Sequence, residues 1–218
     1  METIVCLPVY NEELSIRTMI EQIHAIKYPV VISDGGSADK SLEIAQKMDV
    51  KILSRPGKPK GFGMLKTIEY AHAKGTSFLV FIDCDQSYPV AKIPALINSL
   101  IEQELDMAVG NRKREAMTIK SKILNKLLPW IIKSLFGGDL KDPASGFRAI
   151  RVDSYYGKLK EEGMDLEIEL TGFSLRKNLK VKEIDVDYYA RVGESKLRLT
   201  DILQALFTIF RVRFRQYT

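Results

Sequence analysis

The feature that most constrains this chain of 218 residues is a regular alternation of short β-rich runs with helical patterns in its first half. The strand-like runs cover residues 3–8, 30–33, 50–53, 78–82 and 107–110. The helical patterns lie near residues 13–26, 39–47, 61–73 and 90–104. Strands that alternate with helices of this length are joined by right-handed crossovers, which align the strands. The sequence therefore predicts an α/β fold with a mostly parallel central sheet and helices on both faces.

The second half follows a less regular pattern. An amphipathic segment at 118–136 contains Pro129 and leads into a glycine-rich loop at 137–139. We then predict a strand at 147–152, a helix at 166–177, a strand at 180–188 and a final helix from about 199 to 215. No linker, repeat or low-complexity segment interrupts the chain, and a hydrophobic content of 45% suits one core. We expect a single domain over residues 1–218.

The charge of the chain is modest overall and unevenly distributed. The formal net charge is +5, but residues 111–133 hold seven basic side chains against one acid, and residues 176–218 hold ten against five. A basic balance of this size suits anionic lipid, phosphorylated substrates or nucleic acid, and does not distinguish among them. The apolar and charged fractions exclude disordered and fibrous classes.

The remaining global features favour a cytosolic protein. No run of about 18 uncharged apolar residues occurs, so no transmembrane helix is predicted, and the first residues resemble a strand rather than a signal peptide. Cys6 and Cys84 lie in separate strand-like runs, which argues against a disulfide framework and favours reduced thiols. His24 and His72 lack the spacing of a metal site and are interpreted as surface or packing residues.

The strongest chemical pattern is the pair Asp83 and Asp85, which follows the apolar run at 78–82. Two carboxylates spaced one residue apart at an extended strand end point the same way, so both can face one divalent cation. Hard oxygen ligands suit Mg²⁺ or Mn²⁺, which keep waters and substrate phosphates as further ligands. Parallel sheets bind ligands at the carboxyl ends of their strands, which is where this pair falls. Taken alone, the pair fits solvated acids at a strand end equally well.

Two further segments suit phosphate or nucleotide binding. Residues 55–63 (Arg-Pro-Gly-Lys-Pro-Lys-Gly-Phe-Gly) open a helix, where glycines let backbone N–H groups approach a phosphate. Residues 32–39 form a turn and a helix cap, with Asp34 placed at a strand end to hydrogen-bond a base. An ordinary turn with a capped helix explains the first segment equally well.

In combination, these runs resemble the family 2 glycosyltransferases of the GT-A fold, which is Rossmann-like. Residues 8–13 match the opening Pro-x-Tyr-Asn-Glu, residues 34–41 match Asp-Asp-Gly-Ser-x-Asp-x-Thr, and residues 83–85 match the metal-binding Asp-x-Asp. Residues 60–63, 110–112, 142–148 and 191–197 narrow the resemblance to dolichyl-phosphate (polyprenyl-phosphate) mannosyltransferases. The matches run in order along nearly the whole chain.

This resemblance implies a role for each matched residue. The nucleotide sugar would be held by Pro8, Tyr10, Glu12, Asp34, Lys60 and Asp83. The catalytic residues would be Asp83, Asp85, Arg112 and Arg191, and the metal, Mg²⁺ or Mn²⁺, would be held by Asp83, Asp85 and Ser87. Donor or acceptor phosphates would be gripped by Arg112, Ser145, Arg148, Arg191, Ser195 and Lys196. Residues 1–110 would form the nucleotide-sugar half, and residues 111–218 the half for acceptor and membrane.

Two positions depart from the family pattern. Gly35 stands where many relatives have a second Asp, which weakens any assignment of the base. Residues 86–89 read Gln-Ser-Tyr-Pro where relatives often have Leu-Gln/Ser-His-Pro, so Ser87 is expected to act on the metal less directly, through water.

The implied reaction is transfer of a hexose, with inversion, from a nucleotide diphosphate sugar to a polyprenyl or dolichyl phosphate. GDP-mannose is the favoured donor, and UDP-glucose or a soluble acceptor is the alternative. A phosphate acceptor is already anionic and needs little help from a base, whereas a sugar hydroxyl would need a carboxylate. Glu167 and Glu169 are the candidates for that base, but their spacing on a helix favours a solvated or capping pair.

The final helix predicts contact with a membrane. Its polar residues recur on one narrow stripe, a wide apolar face fills the rest, and Arg211, Arg213 and Arg215 gather at its end. Such a helix suits the headgroup plane of an anionic leaflet, and the basic segment 119–136 offers a second surface of this kind. We expect a peripheral protein on the cytoplasmic face. Docking onto the core or onto a second copy is the alternative for the helix, and nucleic-acid binding is the least favoured reading of the charge.

Overall fold

The computed structural model describes residues 2–57, 59–113, 119–160, 163, 166–193 and 199–217, with side chains outside 119–125 and 199–203. Its strands are β1 (Thr3–Val9), β2 (Val30–Asp34), β3 (Lys51–Ser54), β4 (Phe78–Phe81), β5 (Met107–Arg112), β6 (Arg148–Arg151) and β7 (Val181–Val186). They form one sheet in the order β3-β2-β1-β4-β6-β5-β7. Strand β6 runs antiparallel to β4 and β5, and every other pair in the sheet is parallel. The predicted mostly parallel sheet is confirmed.

Helices connect the strands and cover both faces of the sheet. They are α1 (Ile16–Ala25), α2 (Ser41–Gln46), α3 (Lys60–Ala73), α4 (Ile93–Glu102), α5 (Ile119–Phe136), α6 (Val152–Tyr155), α7 (Leu166–Arg176) and α8 (Leu199–Phe214). The predicted helices are present with boundaries shifted by a few residues, and the single turn α6 was not predicted. A 3₁₀ turn at Val90–Lys92 leads into α4, which carries Pro94 in its first turn. The division of the chain into two functional halves stays a prediction.

The two faces of the sheet bury separate apolar cores because alternate side chains of a strand point to opposite sides. Val5 and Leu7 of β1 belong to the core packed against α1 and α4. Ile4 and Cys6 of the same strand belong to the core packed against α3 and α7. Cys6 and Cys84 are both buried and both free thiols. A strand buried on both faces fixes its register, and this holds the loops at its carboxyl end in place.

A third apolar cluster joins α5, α7 and α8. Leu128 and Ile132 of α5, Ile168 of α7 and Ile209 of α8 are almost fully buried together. Gly172 of α7 allows a close approach of α8, since a Cβ there would lie 2.7 Å from a methyl carbon of Val212. None of the helices in the described ranges is long and apolar enough to cross a bilayer.

Candidate active site at the carboxyl edge of the sheet

The parallel strands bring the predicted site residues to one edge of the sheet. Residues 10–12 follow the carboxyl end of β1, and residues 35–37 follow that of β2. Residues 82–87 follow β4, and residue 113 follows β5. The segment 187–193 after β7 runs beside the loop after β4, because Tyr189 N–H donates to Ser87 O at 3.0 Å and Val192 N–H donates to Asp85 O at 2.9 Å. Asp83 and Asp85 lie at the carboxyl edge of the sheet, as predicted from their position after a strand, and these hydrogen bonds bring Arg191 beside them.

Asp83 forms an ion pair with the ammonium group of Lys60, which also pairs with Glu167. Lys60, at the start of α3, places Nζ 2.6 Å from Asp83 Oδ1 and 2.7 Å from Glu167 Oε1. Burial disfavours the ammonium, but the charges of Asp83 and Glu167 outweigh burial and raise the pKa of Lys60 above its ordinary value. Burial also opposes ionisation of Asp83, yet Lys60, Arg112 and Arg191 lower its pKa. Asp83 is thus a carboxylate at neutral pH.

Asp85 is oriented from one side and faces a guanidinium on the other. The backbone N–H and the hydroxyl of Ser87 both donate to Asp85 Oδ1. Arg191 Nη2 lies 3.0 Å from Asp85 Oδ2. Within the described residues, Arg191 Nε is buried without a hydrogen-bond partner. Ser87 is buried behind Asp85, so the structure gives it the role of orienting this carboxylate.

A glycine and a tyrosine shape the other side of Asp83. A Cβ on Gly146 would lie 2.3 Å from Asp83 Oδ2, so only glycine leaves room for this carboxylate. Tyr88 holds the glycine in place, since its hydroxyl oxygen accepts the Gly146 N–H at 3.0 Å. Tyr88 is buried beside Phe147 and Tyr188. Sequence reasoning noted Tyr88 only as a departure from the family, because a contact over 58 residues has no local pattern.

The loop after β2 is built around Asp34. Its carboxylate accepts the Gly36 N–H at 2.8 Å and the Ser37 hydroxyl at 2.6 Å, and the side chain has no exposed surface. The oxygens of Asp34 are turned into its own loop in this structure, and its direct contact with the nucleoside stays a prediction. Tyr10 is about half exposed beside Gly35, and it remains the candidate for contact with a base.

Other predicted nucleotide residues lie near the same loop. Pro8 is half-buried and pairs with Ser33 across β1 and β2. Glu12 accepts the Ser15 hydroxyl at 3.3 Å, and its backbone N–H donates to Ser41 Oγ. Arg55 is buried, and its Nε donates to Ser33 Oγ at 3.2 Å. The roles of Pro8 and Glu12 toward a nucleotide stay predictions.

Arg112 is fixed at the end of β5 by a bidentate ion pair. Its Nε and Nη2 donate to the two oxygens of Asp142 at 2.6 Å and 2.7 Å. Glu183 in turn accepts the backbone N–H of Asp142 at 2.6 Å. Asp142 is buried, so the guanidinium is held in one orientation with its charge available to Asp83. A role of Arg112 toward phosphate stays a prediction.

Two of the predicted phosphate-binding residues have structural roles instead. Arg148 is fully buried, and its guanidinium donates to the backbone carbonyls of Pro143, Ser145 and Glu167. Ser145 is also fully buried, and its hydroxyl oxygen accepts the Phe147 N–H at 3.3 Å. Neither side chain reaches the surface in this structure, and their contact with acceptor phosphate stays a prediction. Ser195 and Lys196, predicted beside them, lie outside the described residues.

The helical spacing predicted that Glu167 and Glu169 form a solvated or capping pair, but the structure shows that neither is solvated. Glu167 is 6% exposed and Glu169 is 0% exposed. Glu167 faces Lys60, whereas Glu169 Oε1 lies 2.6 Å from Arg215 Nη1 and accepts the Tyr217 hydroxyl at 3.0 Å. Helix α7 is buried between the site and α8, so both carboxylates find cationic partners inside the protein.

The residues at this edge fit a hard divalent cation. Asp83 and Asp85 offer carboxylate oxygens, and cationic groups of Lys60 and Arg191 already lie against them. The described residues hold no group of three or more His, Cys, Asp or Glu side chains suited to a metal. Two carboxylates suit Mg²⁺ or Mn²⁺, which take their other ligands from water and substrate phosphates. The edge therefore combines cation ligands with Lys60, Arg112 and Arg191, a set suited to a diphosphate.

Comparison with known proteins agrees with this chemistry. Residues 4–156 match the family described as glycosyl transferase family 2. A dolichol-phosphate mannosyltransferase of Pyrococcus furiosus is 30% identical over 97% of this chain, which spans 64% of that protein. A dolichyl-phosphate hexose transferase of Haloferax volcanii is 29% identical, over 88% of this chain and 85% of its own length.

Solved structures resemble the chain in fold. The glucosyl-3-phosphoglycerate synthase of Mycobacterium tuberculosis, in complex with Mn²⁺, UDP and phosphoglyceric acid, superposes with a TM-score of 0.79. The match covers 100% of this chain and 80% of that chain, at 18% identity. The GT-A architecture predicted from the sequence is therefore confirmed.

Proposed function

Since this chain belongs to glycosyl transferase family 2, we propose that it transfers a hexose from a nucleotide diphosphate sugar to a polyprenyl phosphate, with inversion at the anomeric carbon. The observation that carries this proposal is the convergence of Asp83 and Asp85 with Lys60 and Arg191 at one edge of the sheet. Carboxylates that suit a divalent cation and cations that suit phosphates are needed together when two anionic substrates react.

The proposed cofactor is Mg²⁺ or Mn²⁺, held by Asp83 and Asp85. When bound, the metal supplies positive charge that stabilises the leaving nucleoside diphosphate. Arg112 is preorganised by Asp142, so its charge is oriented before any substrate arrives. Mn²⁺ in the structure of the mycobacterial synthase supports this choice of cofactor.

A phosphate acceptor fits the residues better than a sugar hydroxyl does. A phosphate monoester is anionic near neutral pH, so it can attack without a general base. Glu167, one of the two candidates for a general base, is bound to Lys60 at 2.7 Å and is thereby occupied as an ion-pair partner. Arg191 lies beside Asp85 with its side chain 32% exposed, and it is the proposed contact of the acceptor phosphate. The names of the Pyrococcus and Haloferax relatives support a lipid-linked phosphate.

For the donor, we propose GDP-mannose, with UDP-glucose as the alternative. The mannosyltransferase relative supports the first choice. The mycobacterial synthase, whose structure holds UDP and phosphoglyceric acid, supports the second and also a soluble phosphorylated acceptor. With either donor, the same cationic side chains of the site would bind the diphosphate.

The proposed place of action is the cytoplasmic face of a membrane, through α5 and α8. These helices bury Ile132 and Ile209 in the third apolar cluster, which docks them onto α7. On their other sides they expose large apolar side chains: Leu127, Trp130, Phe207, Phe210 and Phe214. Arg211 lies over the Phe207 ring and Arg213 over the Phe214 ring. Aromatic side chains interleaved with arginine suit the headgroup plane of an anionic leaflet.

The function is tested by offering GDP-mannose and UDP-glucose in turn with Mn²⁺. Dolichyl phosphate in vesicles and phosphoglyceric acid in solution serve as competing acceptors. We expect hexose on the lipid phosphate, no transfer after chelation of the metal, and no transfer by an Asp85→Ala variant. Transfer only to the soluble acid would overturn the lipid assignment, and transfer that persists in EDTA would overturn the role of the metal.

A further inference from the structure

Glu167 enters the site from an element that no site motif contains. It lies in the first turn of α7, is 6% exposed, and places Oε1 2.7 Å from Lys60 Nζ. Lys60 stands 107 residues earlier in the chain and contacts Asp83 with the same ammonium. The ammonium is therefore held between two carboxylates from two different elements.

The backbone under Glu167 is firmly held. Its carbonyl accepts Arg148 Nη1 at 3.1 Å and the Thr171 hydroxyl at 3.0 Å. Residues 166–174 of α7 are all buried. The beginning of α3 is tied to the segment before α7, because Gly61 N–H donates to Gly163 O at 2.9 Å. Glu167 thus presents its carboxylate from a rigid support.

This second anchor matters because lysine is a flexible side chain. An ammonium on a four-carbon stem that paired with Asp83 alone would follow that carboxylate and compete with a cation for it. A partner on α7 keeps Nζ at the edge of the site whatever Asp83 binds. Resting on the function proposed above, we propose that Glu167 is a positioning residue that holds the Lys60 ammonium against the diphosphate of the donor.

Charge and position have opposite consequences here, which makes the proposal testable. Glu167 is an anion beside a site for anions. If it acted only by its charge, it would repel a diphosphate, and removing that charge would tighten diphosphate binding. A role through position would make its removal weaken that binding. Glu167→Gln removes the charge and keeps the length, whereas Glu167→Asp keeps the charge and loses the reach to Lys60.

The experiment measures binding of GDP and of UDP by calorimetry, in EDTA and with Mn²⁺. We expect both Glu167 variants to bind the nucleotide about tenfold more weakly than the wild type. In a Lys60→Met background, Glu167→Gln should weaken nucleotide binding little further, because the effects of mutations at contacting residues are not additive. The matched control is Glu169→Gln. It removes a buried carboxylate from the same helix, and that carboxylate contacts Arg215, Tyr217 and the backbone N–H of Lys160.

The control separates positioning from loss of stability. Glu169→Gln should lower the melting temperature yet bind the nucleotide as the wild type does. Tighter binding by Glu167→Gln, or wild-type binding by Glu167→Asp, would overturn the positioning role. Failure of the wild type to bind either nucleotide under both conditions would instead overturn the proposed function.

Discussion

Replacing Gly146 by alanine tests whether the placement of Asp83 governs the site. A Cβ at this position would lie 2.3 Å from Asp83 Oδ2, 2.8 Å from its Cγ and 2.9 Å from its Oδ1. Ordinary contacts need about 3.5–4.0 Å, so the two groups must separate by roughly 1 Å. Gly146 is not in the left-handed region, and the collision is therefore the main cost. Because Tyr88 holds the Gly146 N–H, we expect the carboxylate to move away from Lys60.

The expected losses of stability and of transfer rate follow from that displacement. Overpacking of this kind costs about 1–3 kcal/mol of the free energy of unfolding. For a chain of this size, that lowers the melting temperature by about 2–12 °C. A displacement of 1 Å at a reacting centre can cost about 100-fold in rate. We therefore expect Gly146→Ala to remain folded while its Mn²⁺-dependent transfer falls by about two orders of magnitude.

The assay pairs thermal unfolding with initial rates of transfer at saturating Mn²⁺. The control is Gly157→Ala, in the turn after α6, where φ is +69° and no atom of the described residues lies within 4 Å of an added Cβ. The left-handed backbone there costs about 1–2 kcal/mol with alanine, so the loss of stability is similar. This turn follows β6 and lies toward the opposite edge of the sheet, because β6 runs antiparallel to β4. Wild-type rates for Gly146→Ala, or an equal loss in Gly157→Ala, would refute the reasoning.

Three further predictions concern residues outside this contact. Arg148→Met should remove the guanidinium donors of three buried carbonyls, of which those of Pro143 and Glu167 keep the Thr171 hydroxyl. It should lower the melting temperature by several degrees, since a buried carbonyl left without a partner costs about 1–3 kcal/mol. Phe210→Glu should weaken cosedimentation with anionic vesicles, whereas Leu14→Glu, at an exposed apolar residue in the turn before α1, should not. Arg191→Ala should raise the KM for polyprenyl phosphate about tenfold, because a charge-assisted contact is lost.

Each of these predictions has a contrary outcome. If Arg148→Met were as stable as the wild type but had a raised KM for the acceptor, the result would indicate that Arg148 binds the acceptor phosphate. Equal vesicle binding by both glutamate variants would remove the membrane role of α8, and a shift from dimer to monomer in the Phe210 variant would assign that face to a second copy. An unchanged rate for Arg191→Ala at limiting acceptor would remove its assignment to the lipid phosphate.

The architecture was predictable because its strands and helices carry their own patterns. Val5 and Leu7 face one core and Ile4 and Cys6 the other, so β1 is apolar throughout and reads as a central strand. The antiparallel direction of β6 was not predictable in the same way. An apolar run specifies a strand but not its direction, which here depends on how the chain returns after α5.

The site was predictable where its residues follow strands in sequence. Asp83 and Asp85 follow one strand, so their shared position at the carboxyl edge could be read from the sequence. Their contact with Arg191 depends on hydrogen bonds between the segment after β7 and the loop after β4, which no local pattern records. The partnership of Lys60 with Glu167 was not predictable, because it joins helix starts that are 107 residues apart. Sequence patterns also do not record how far a polar side chain is buried. Fully buried polar groups such as Asp34 satisfy backbone groups within the protein, and burial is decided by packing that no motif records.

The most direct test of the account is a titration of Mn²⁺ followed by electron paramagnetic resonance, with and without GDP or UDP. The wild type and the Asp85→Ala variant are compared at equal concentration, together with Leu14→Glu as an exposed control. We predict that nucleoside diphosphate and Mn²⁺ each tighten the binding of the other to the wild type, because both meet at the end of β4. We predict further that the Asp85→Ala variant loses this mutual effect. Equal coupling of metal and nucleotide in the Asp85→Ala variant would contradict the claim that the carboxylates at this strand end hold a cation against the donor diphosphate.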